Sequence, residues 1–187
     1  MKKDEKIYVA GHSGMVGSAL IKRLKDEGYN NLVFSNHKDL DLINQQDVND
    51  FFHKEKPAYA FMAAGRVGGI NVNNHLRGQF IYDNLMIQNN IIHASHEANV
   101  RKLIFLGSAC IYPRNTNQPI KEEYLLTGIL EPTNEPYAIA KITGIKLCES
   151  YYKQYGANFI SIIPNNLYGP NDNFDLETSH VLPALLR

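Results

Sequence analysis

Five short apolar runs, each followed by a turn and most by a segment of helical period, constrain this chain more than any other feature. The first, Ile7-Tyr8-Val9-Ala10, leads through a glycine-rich turn into residues 15–27. There Val16, Ala19, Leu20 and Leu24 recur at helical spacing, and Gly28 stops the helix. Leu32-Val33-Phe34 predicts a second strand, residues 45–55 a second helix closed by Pro57, and residues 58–64 a third strand. Residues 79–99 predict a long helix, 102–107 a fourth strand, 136–156 a helix with proline in its first turn, and 159–163 a fifth strand. Strands alternating with helices predict an α/β fold, a doubly wound parallel sheet of Rossmann type covered on both faces. Right-handed crossovers put the ligand crevice at the carboxyl ends of the strands. Residues 11–17, 64–69, 107–112 and 164–170 all fall there, and the turn-rich stretch 113–134 is expected to run over it.

The chain has 187 residues, enough for one domain with a full core, and residues 1–187 read as one such domain. Lys+Arg and Asp+Glu both number 19, so there is no excess of positive charge to grip nucleic acid or an anionic membrane. No apolar run approaches the roughly 20 residues a spanning helix needs. The start, Met1-Lys2-Lys3-Asp4-Glu5-Lys6, lacks the apolar stretch of a signal peptide. Cys110 and Cys148 form no metal-ligand or disulfide pattern, so no metal is expected and a reducing cytoplasm is the expected setting. The final residues, Val181-Leu182-Pro183-Ala184-Leu185-Leu186-Arg187, read as the opening of an apolar helix, and a longer natural protein is expected.

Three places carry chemistry. In the turn Gly11-His12-Ser13-Gly14-Met15-Val16-Gly17, Gly11 allows a tight bend, Gly14 a close approach by a pyrophosphate, and Gly17 close packing of the helix. Its first two glycines are three apart, one more than in the common dinucleotide fingerprint. Gly107-Ser108-Ala109-Cys110 ends the fourth strand and offers a hydroxyl to a substrate carbonyl, although a serine there can equally satisfy strand-end backbone. Tyr137 and Lys141, four residues apart, share one helix face. An ammonium beside a phenol lowers the phenol pKa from about 10, which makes a proton donor for ketone reduction. Such a pair also arises on solvated helices; joined to Ser108 and the glycine turn, it predicts a reductase. A flavodoxin-like or methyltransferase domain would leave Tyr137 and Lys141 without a task.

The glycine turn, Ser108 and Tyr137-x-x-x-Lys141 resemble the extended short-chain dehydrogenase/reductase superfamily. Ala64-Gly65-Arg66-Val67-Gly68-Gly69-Ile70, Ser108-Ala109-Cys110-Ile111-Tyr112-Pro113, Glu131-Pro132-Thr133-Asn134-Glu135-Pro136-Tyr137, Asn166-Leu167-Tyr168-Gly169-Pro170 and Ser179-His180-Val181 are similar to its GDP-sugar epimerase-reductases. The resemblance implies NADPH-dependent 3,5-epimerisation and 4-reduction of a GDP-linked keto-deoxy-sugar, GDP-4-keto-6-deoxy-D-mannose, to GDP-L-fucose. It implies Ser108, Tyr137, Lys141, Cys110 and His180 as catalytic, the last pair exchanging protons at carbons 3 and 5. Without it, Cys110 reads as a small packing residue and His180 as a loop histidine.

The implied NADP site comprises the turn residues Gly11, His12, Ser13, Gly14, Met15, Val16 and Gly17, and the strand-end residues Leu106, Gly107, Ser108 and Ala109. Lys141, Pro164, Asn165, Asn166, Leu167 and His180 complete it. Substrate contacts are implied for Ser108, Cys110, Tyr137, Asn166 and His180. The superfamily's NADP enzymes carry arginines near the glycine turn and after the second strand; this chain has Ser13 and Ser35, with His37 and Lys38 as the nearby cations. NADP with a relaxed preference is expected, as is a homodimer through helices 79–99 and 136–156. Asn84 is expected to tie its helix to a strand loop. The resemblance also implies a substrate-binding lobe beyond Arg187, so the alternatives are a reductase that does not epimerise and, for this length of chain, a nucleotide-binding domain with little turnover.

Overall fold

All four residues of β1 (Ile7–Ala10) are at most 2% exposed, which is why an unbroken apolar run is a strand here. In the computed structural model, which describes residues 1–175, 178, 179 and 181–186, β1 pairs in parallel with β2 (Leu32–Val33) and β3 (Tyr59–Met62). β4 (Lys102–Leu106) and β5 (Phe159–Ile162) extend the sheet in the order β2-β1-β3-β4-β5. Alternate residues of β1 serve opposite faces. Ile7 and Val9 pack with Ile21 and Leu24 of α1 (Met15–Asp26). Tyr8 and Ala10 join the larger core, built with Val48 and Phe52 of α2 (Gln45–Glu55), Ile91 and Ile92 of α4 (Arg77–Glu97) and Cys148 of α5 (Glu135–Tyr155). Helices thus cover both faces, as expected. All pairs are parallel, and the order in which successive strands are added reverses between β1 and β3; this switch point is where an open α/β sheet offers a crevice.

Local chemistry sets the helix ends. Asn44 caps α2 by accepting from the N–H groups of Gln46 and Asp47. Gly28 and Gly156, both at positive φ, close α1 and α5. Pro136 lies in the first turn of α5. β3 is shorter than predicted because residues 63 and 64 turn past the glycine loop, with Ala63 N–H donating to Ala10 O at 3.0 Å. The helix α3 (Ile70–His75) was not predicted, for a physical reason. Its inward residue is the polar Asn73, whereas Ile70 is 60% exposed, so no apolar period marks it. α6 (Val181–Leu186) ends the described chain. Among the described residues no helix is long and apolar enough to cross a membrane.

Candidate active site

The glycine turn sits at the switch point. Gly11 has φ 78°, and a Cβ there would lie 2.6 Å from Ala64 N and 2.7 Å from Ala63 C, so no side chain fits. A Cβ on Gly17 would run into the Gly11 carbonyl, which explains how α1 starts directly beneath the turn. Gly14 differs: its φ is −76°, and among the described residues a Cβ would meet only the Gly11 carbonyl oxygen, at 3.6 Å. Nothing in the protein itself demands glycine at 14, and the space ahead of α1 stays open. α1 also has no side-chain cap among the described residues and no acid in its first turn. Open space before uncapped helical N–H groups fits an anionic diphosphate. His12 borders this space, its ring stacked on Phe34 with centroids 4.7 Å apart. Among the described residues no cluster of His, Cys, Asp and Glu could hold a metal, and both cysteines are free thiols.

A second group of side chains gathers at the carboxyl end of β4. Lys141, only 4% exposed, reaches back from α5 and donates from Nζ to Leu106 O at 3.0 Å. Its Nζ lies 5.0 Å from the Phe105 ring centroid and 5.7 Å from that of Tyr137. A Cβ on Gly65 would stand 3.6 Å from Lys141 Nζ and 2.9 Å from Asn84 Oδ1, so glycine leaves room there. Asn84 does tie its helix to this loop: Oδ1 accepts from Arg66 N–H at 2.9 Å, and Nδ2 donates to Arg66 O at 3.0 Å. Ser108 caps the 3-10 turn Ala109–Ile111, and its Oγ lies 2.9 Å from Cys110 Sγ.

Burial governs how these groups ionise. It lowers Lys141 to about 8. It raises the Cys110 thiol; the Ser108 hydroxyl and Lys141 oppose the rise and the Glu131 carboxylate adds to it. Tyr137 is raised well above an ordinary phenol, first by burial and then by the Cys110 charge, with Ser108 opposing. The expectation that Lys141 holds the phenol down is therefore not met: the ammonium is engaged by the Leu106 carbonyl, and desolvation of the phenol outweighs it.

Ser108, Cys110, Tyr137 and Lys141 are thus brought together, with Leu106, Gly107 and Ala109 forming the strand end beside them. Pro164, Asn165, Asn166 and Leu167 follow β5; both asparagines and Leu167 are exposed, and Asn166 N–H donates to Asn165 Oδ1 at 2.9 Å. Ser13 is exposed, while Met15 and Val16 open α1. His180 lies outside the described residues. One participant carried no role in the sequence reading. Glu131 Oε2 accepts from the N–H groups of Thr133 and Asn134, both at 3.1 Å, and from Thr133 Oγ1 at 2.5 Å, bracing the turn that presents Tyr137. A carboxylate two residues ahead of Thr-Asn at a helix start is the signal that could have marked it.

A protein-family model described as the NAD dependent epimerase/dehydratase family matches residues 7–187. GDP-L-fucose synthase 1 of Arabidopsis thaliana is 57% identical over 185 residues, covering 99% of this chain and 57% of that protein. A crystal structure of a GDP-D-glycero-L-gluco-heptose synthase from Campylobacter jejuni, in the presence of NADPH, is 52% identical with a TM-score of 0.96. It covers 100% of this chain and 55% of its own. A GDP-mannoheptose C4 reductase from the same organism, with NADP bound, is 52% identical with a TM-score of 0.94, over 100% of this chain and 55% of its own. The chain therefore spans little more than half the length of these relatives.

Proposed function

The chain belongs to the NAD dependent epimerase/dehydratase family, and from that premise we propose that it forms the NADPH-binding and catalytic part of an epimerase-reductase that makes GDP-L-fucose. The substrate is GDP-4-keto-6-deoxy-D-mannose. The observation that carries this reading is the pairing of Ser108 Oγ with Cys110 Sγ at 2.9 Å, beside Tyr137 and Lys141. Reduction alone uses a hydroxyl, a phenol and an ammonium; a thiol at the same carbonyl has work to do only if protons also move at carbon.

The residues divide the task. Ser108 and Tyr137 hold the oxygen on carbon 4 of the sugar and stabilise the negative charge that develops there. That ketone acidifies the hydrogens on carbons 3 and 5, and Cys110 and His180 exchange protons with those carbons as an acid–base pair. NADPH, when bound, supplies the hydride to carbon 4. Tyr137 then protonates the oxygen, and Lys141, whose Nζ donates to Leu106 O, would hold the nicotinamide ribose. Gly11, Gly14 and Gly17 leave the N-terminus of α1 open to the cofactor's diphosphate. His37 and Lys38 stand in for arginines at the ribose phosphate, as point charges without a bidentate fork. The relatives bound to NADP or NADPH support that cofactor choice. A homodimer through the outer faces of α4 and α5, which expose Tyr82 and Tyr152, belongs to the same reading.

A second reading is favoured by the similarity to a GDP-mannoheptose C4 reductase: reduction of a GDP-linked keto-sugar without epimerisation. Incubating the full-length protein with NADPH and the keto-sugar in deuterated water separates the two. Deuterium at carbons 3 and 5 of the product is expected. Cofactor oxidation with both carbons unlabelled would leave the reductase reading standing, and neither oxidation nor labelling would sink both.

A further inference from the structure

The loop after β3 contains two adjacent glycines in unlike surroundings. At Gly68 a Cβ would meet Phe80 Cζ at 3.3 Å and Val72 Cβ at 3.5 Å, so the buried Phe80 ring need give by only a few tenths of an ångström. At Gly69 it would fall on the carbonyl oxygen of Ser179, with Ser179 C at 3.3 Å and Thr178 O at 3.7 Å. Gly69 has φ −64° and ψ 172°, a conformation open to any residue. Proximity, and not backbone conformation, therefore demands glycine here. The Gly69 N–H donates to Thr178 O at 3.0 Å, so two backbones distant in sequence meet with no side chain between them.

Both sides of this contact are braced. On the incoming side, Asp175 Oδ1 accepts from Thr178 N–H at 3.0 Å and from Thr178 Oγ1 at 2.9 Å. Ser179 N–H donates to Asp175 O at 2.9 Å, and Asn173 Nδ2 donates to Thr178 Oγ1 at 2.9 Å. These bonds tie Thr178 and Ser179 to Asn173 and Asp175. On the receiving side Asn73, 5% exposed, donates to Gly68 O at 2.7 Å and to Gly69 O at 3.3 Å. Asn84 fixes Arg66 in the same loop and abuts Gly65, which faces Lys141. The seat at Gly69 is in this way mechanically continuous with the group that holds Tyr137.

We propose that Gly69 is a positioning residue: its missing side chain lets Thr178 and Ser179 seat against the loop after β3, and that seat anchors the chain immediately ahead of the acid–base residue assigned above. This rests on the acid–base role given to His180 above. A methyl group at 69 requires the turn to withdraw by on the order of 1 Å, and a displacement of that size at a reacting group can cost about a hundredfold in rate.

The test compares Gly69→Ala with Gly68→Ala in the full-length protein. For Gly69→Ala, solvent-deuterium incorporation at carbons 3 and 5 should fall at least about tenfold while the NADPH Kd stays within about twofold. Gly68→Ala, which gains the same methyl without the clash, should keep both within about threefold. Equal losses in the two variants, or wild-type incorporation in Gly69→Ala, would overturn the proposal. Amide hydrogen exchange by NMR provides a readout independent of turnover. The wild-type amides of Gly69 and Ser179 should exchange slowly, and the Ser179 amide should speed up at least about tenfold in Gly69→Ala alone. If the wild type incorporates no deuterium, the epimerase reading fails, and the exchange of these two amides still decides whether Gly69 seats the turn.

Discussion

Desolvation, more than pairing, sets the chemistry of Tyr137 and Lys141. A lysine brought from 10.5 to about 8 is carried in the folded protein at a cost of about 3 kcal/mol while it is charged. Below pH 8 both folded and unfolded chains hold the proton and that cost is constant. Between about pH 8 and 10.5 the folded chain has released it and the unfolded chain has not, so this residue makes stability rise with pH. Lys141→Met should abolish the rise. Urea unfolding of both proteins at pH 7.5 and 10.5 checks it: the difference in stability between them should change by up to about 3 kcal/mol, the thiols and phenols largely cancelling. The same pH dependence in both would mean that the ammonium is solvated. For Tyr137 the expectation is kinetic. Tyr137→Phe removes the proton donor while leaving the ring, so reduction should slow by about 100- to 10,000-fold with little change in NADPH Kd. Single-turnover measurements with preformed complex report this directly, and a wild-type rate would remove Tyr137 from the mechanism.

The seam between α4 and α5 holds those residues in place, and its closeness depends on Gly144. A Cβ there would come within 2.8 Å of Phe105 Cε1 and 2.9 Å of Gln88 Oε1. Phe105 is fully buried and Gln88 is tied to Ala140 O at 2.7 Å, so neither can yield cheaply. Alanine in place of glycine favours a helix by about 1 kcal/mol, whereas overpacking a buried seam costs about 1–3 kcal/mol. Gly144→Ala should therefore lower stability by up to about 2 kcal/mol in denaturant titration, despite its better helix propensity; a more stable variant would mean that the seam gives way. The same contrast explains what the sequence could and could not disclose. β1 is buried on both faces, and β3 and β4 are buried on one face and half-buried on the other, so all three leave apolar runs and were legible. α5 was legible from Pro136 at its start and Gly156 past its end. α3 was not, since Asn73 occupies its inward position and its purpose, holding Gly68 and Gly69, exists only in three dimensions. At the site, residue type and spacing singled out Ser108, Tyr137 and Lys141. Their ionisation was misjudged, because spacing along a helix does not reveal how deeply the strand end buries them. Glu131 was overlooked for a related reason: its bonds run to the backbone of its own turn.

On the scale of the whole molecule, the proposed cofactor site and fold stability meet at Gly14. The cradle joins the two layers at the switch point, with α1 from one face and the β1 and β3 ends from the sheet, so a ligand there binds only the folded chain. NADPH at a hundredfold excess over its Kd should then stabilise the chain by about 2.7 kcal/mol, which for a domain of this size is a rise in Tm of about 5–11 °C. Gly14 is the N-cap of α1 but has no side chain to accept from it, and serine is a better residue than glycine for that position because its hydroxyl can accept from the second or third helical N–H. In the proposed function those N–H groups are the ones offered to the diphosphate. Gly14→Ser should thus satisfy the helix at the expense of the ligand. Without cofactor its Tm should match or exceed the wild type by about 1–2 °C, since among the described residues a Cβ there meets only Gly11 O at 3.6 Å. With NADPH most of the 5–11 °C rise should disappear at the same concentration. Thermal melts of the two proteins with and without NADPH separate the contributions. An undiminished rise would move the diphosphate away from α1, and a collapsed cofactor-free Tm would show that glycine at 14 serves the fold itself.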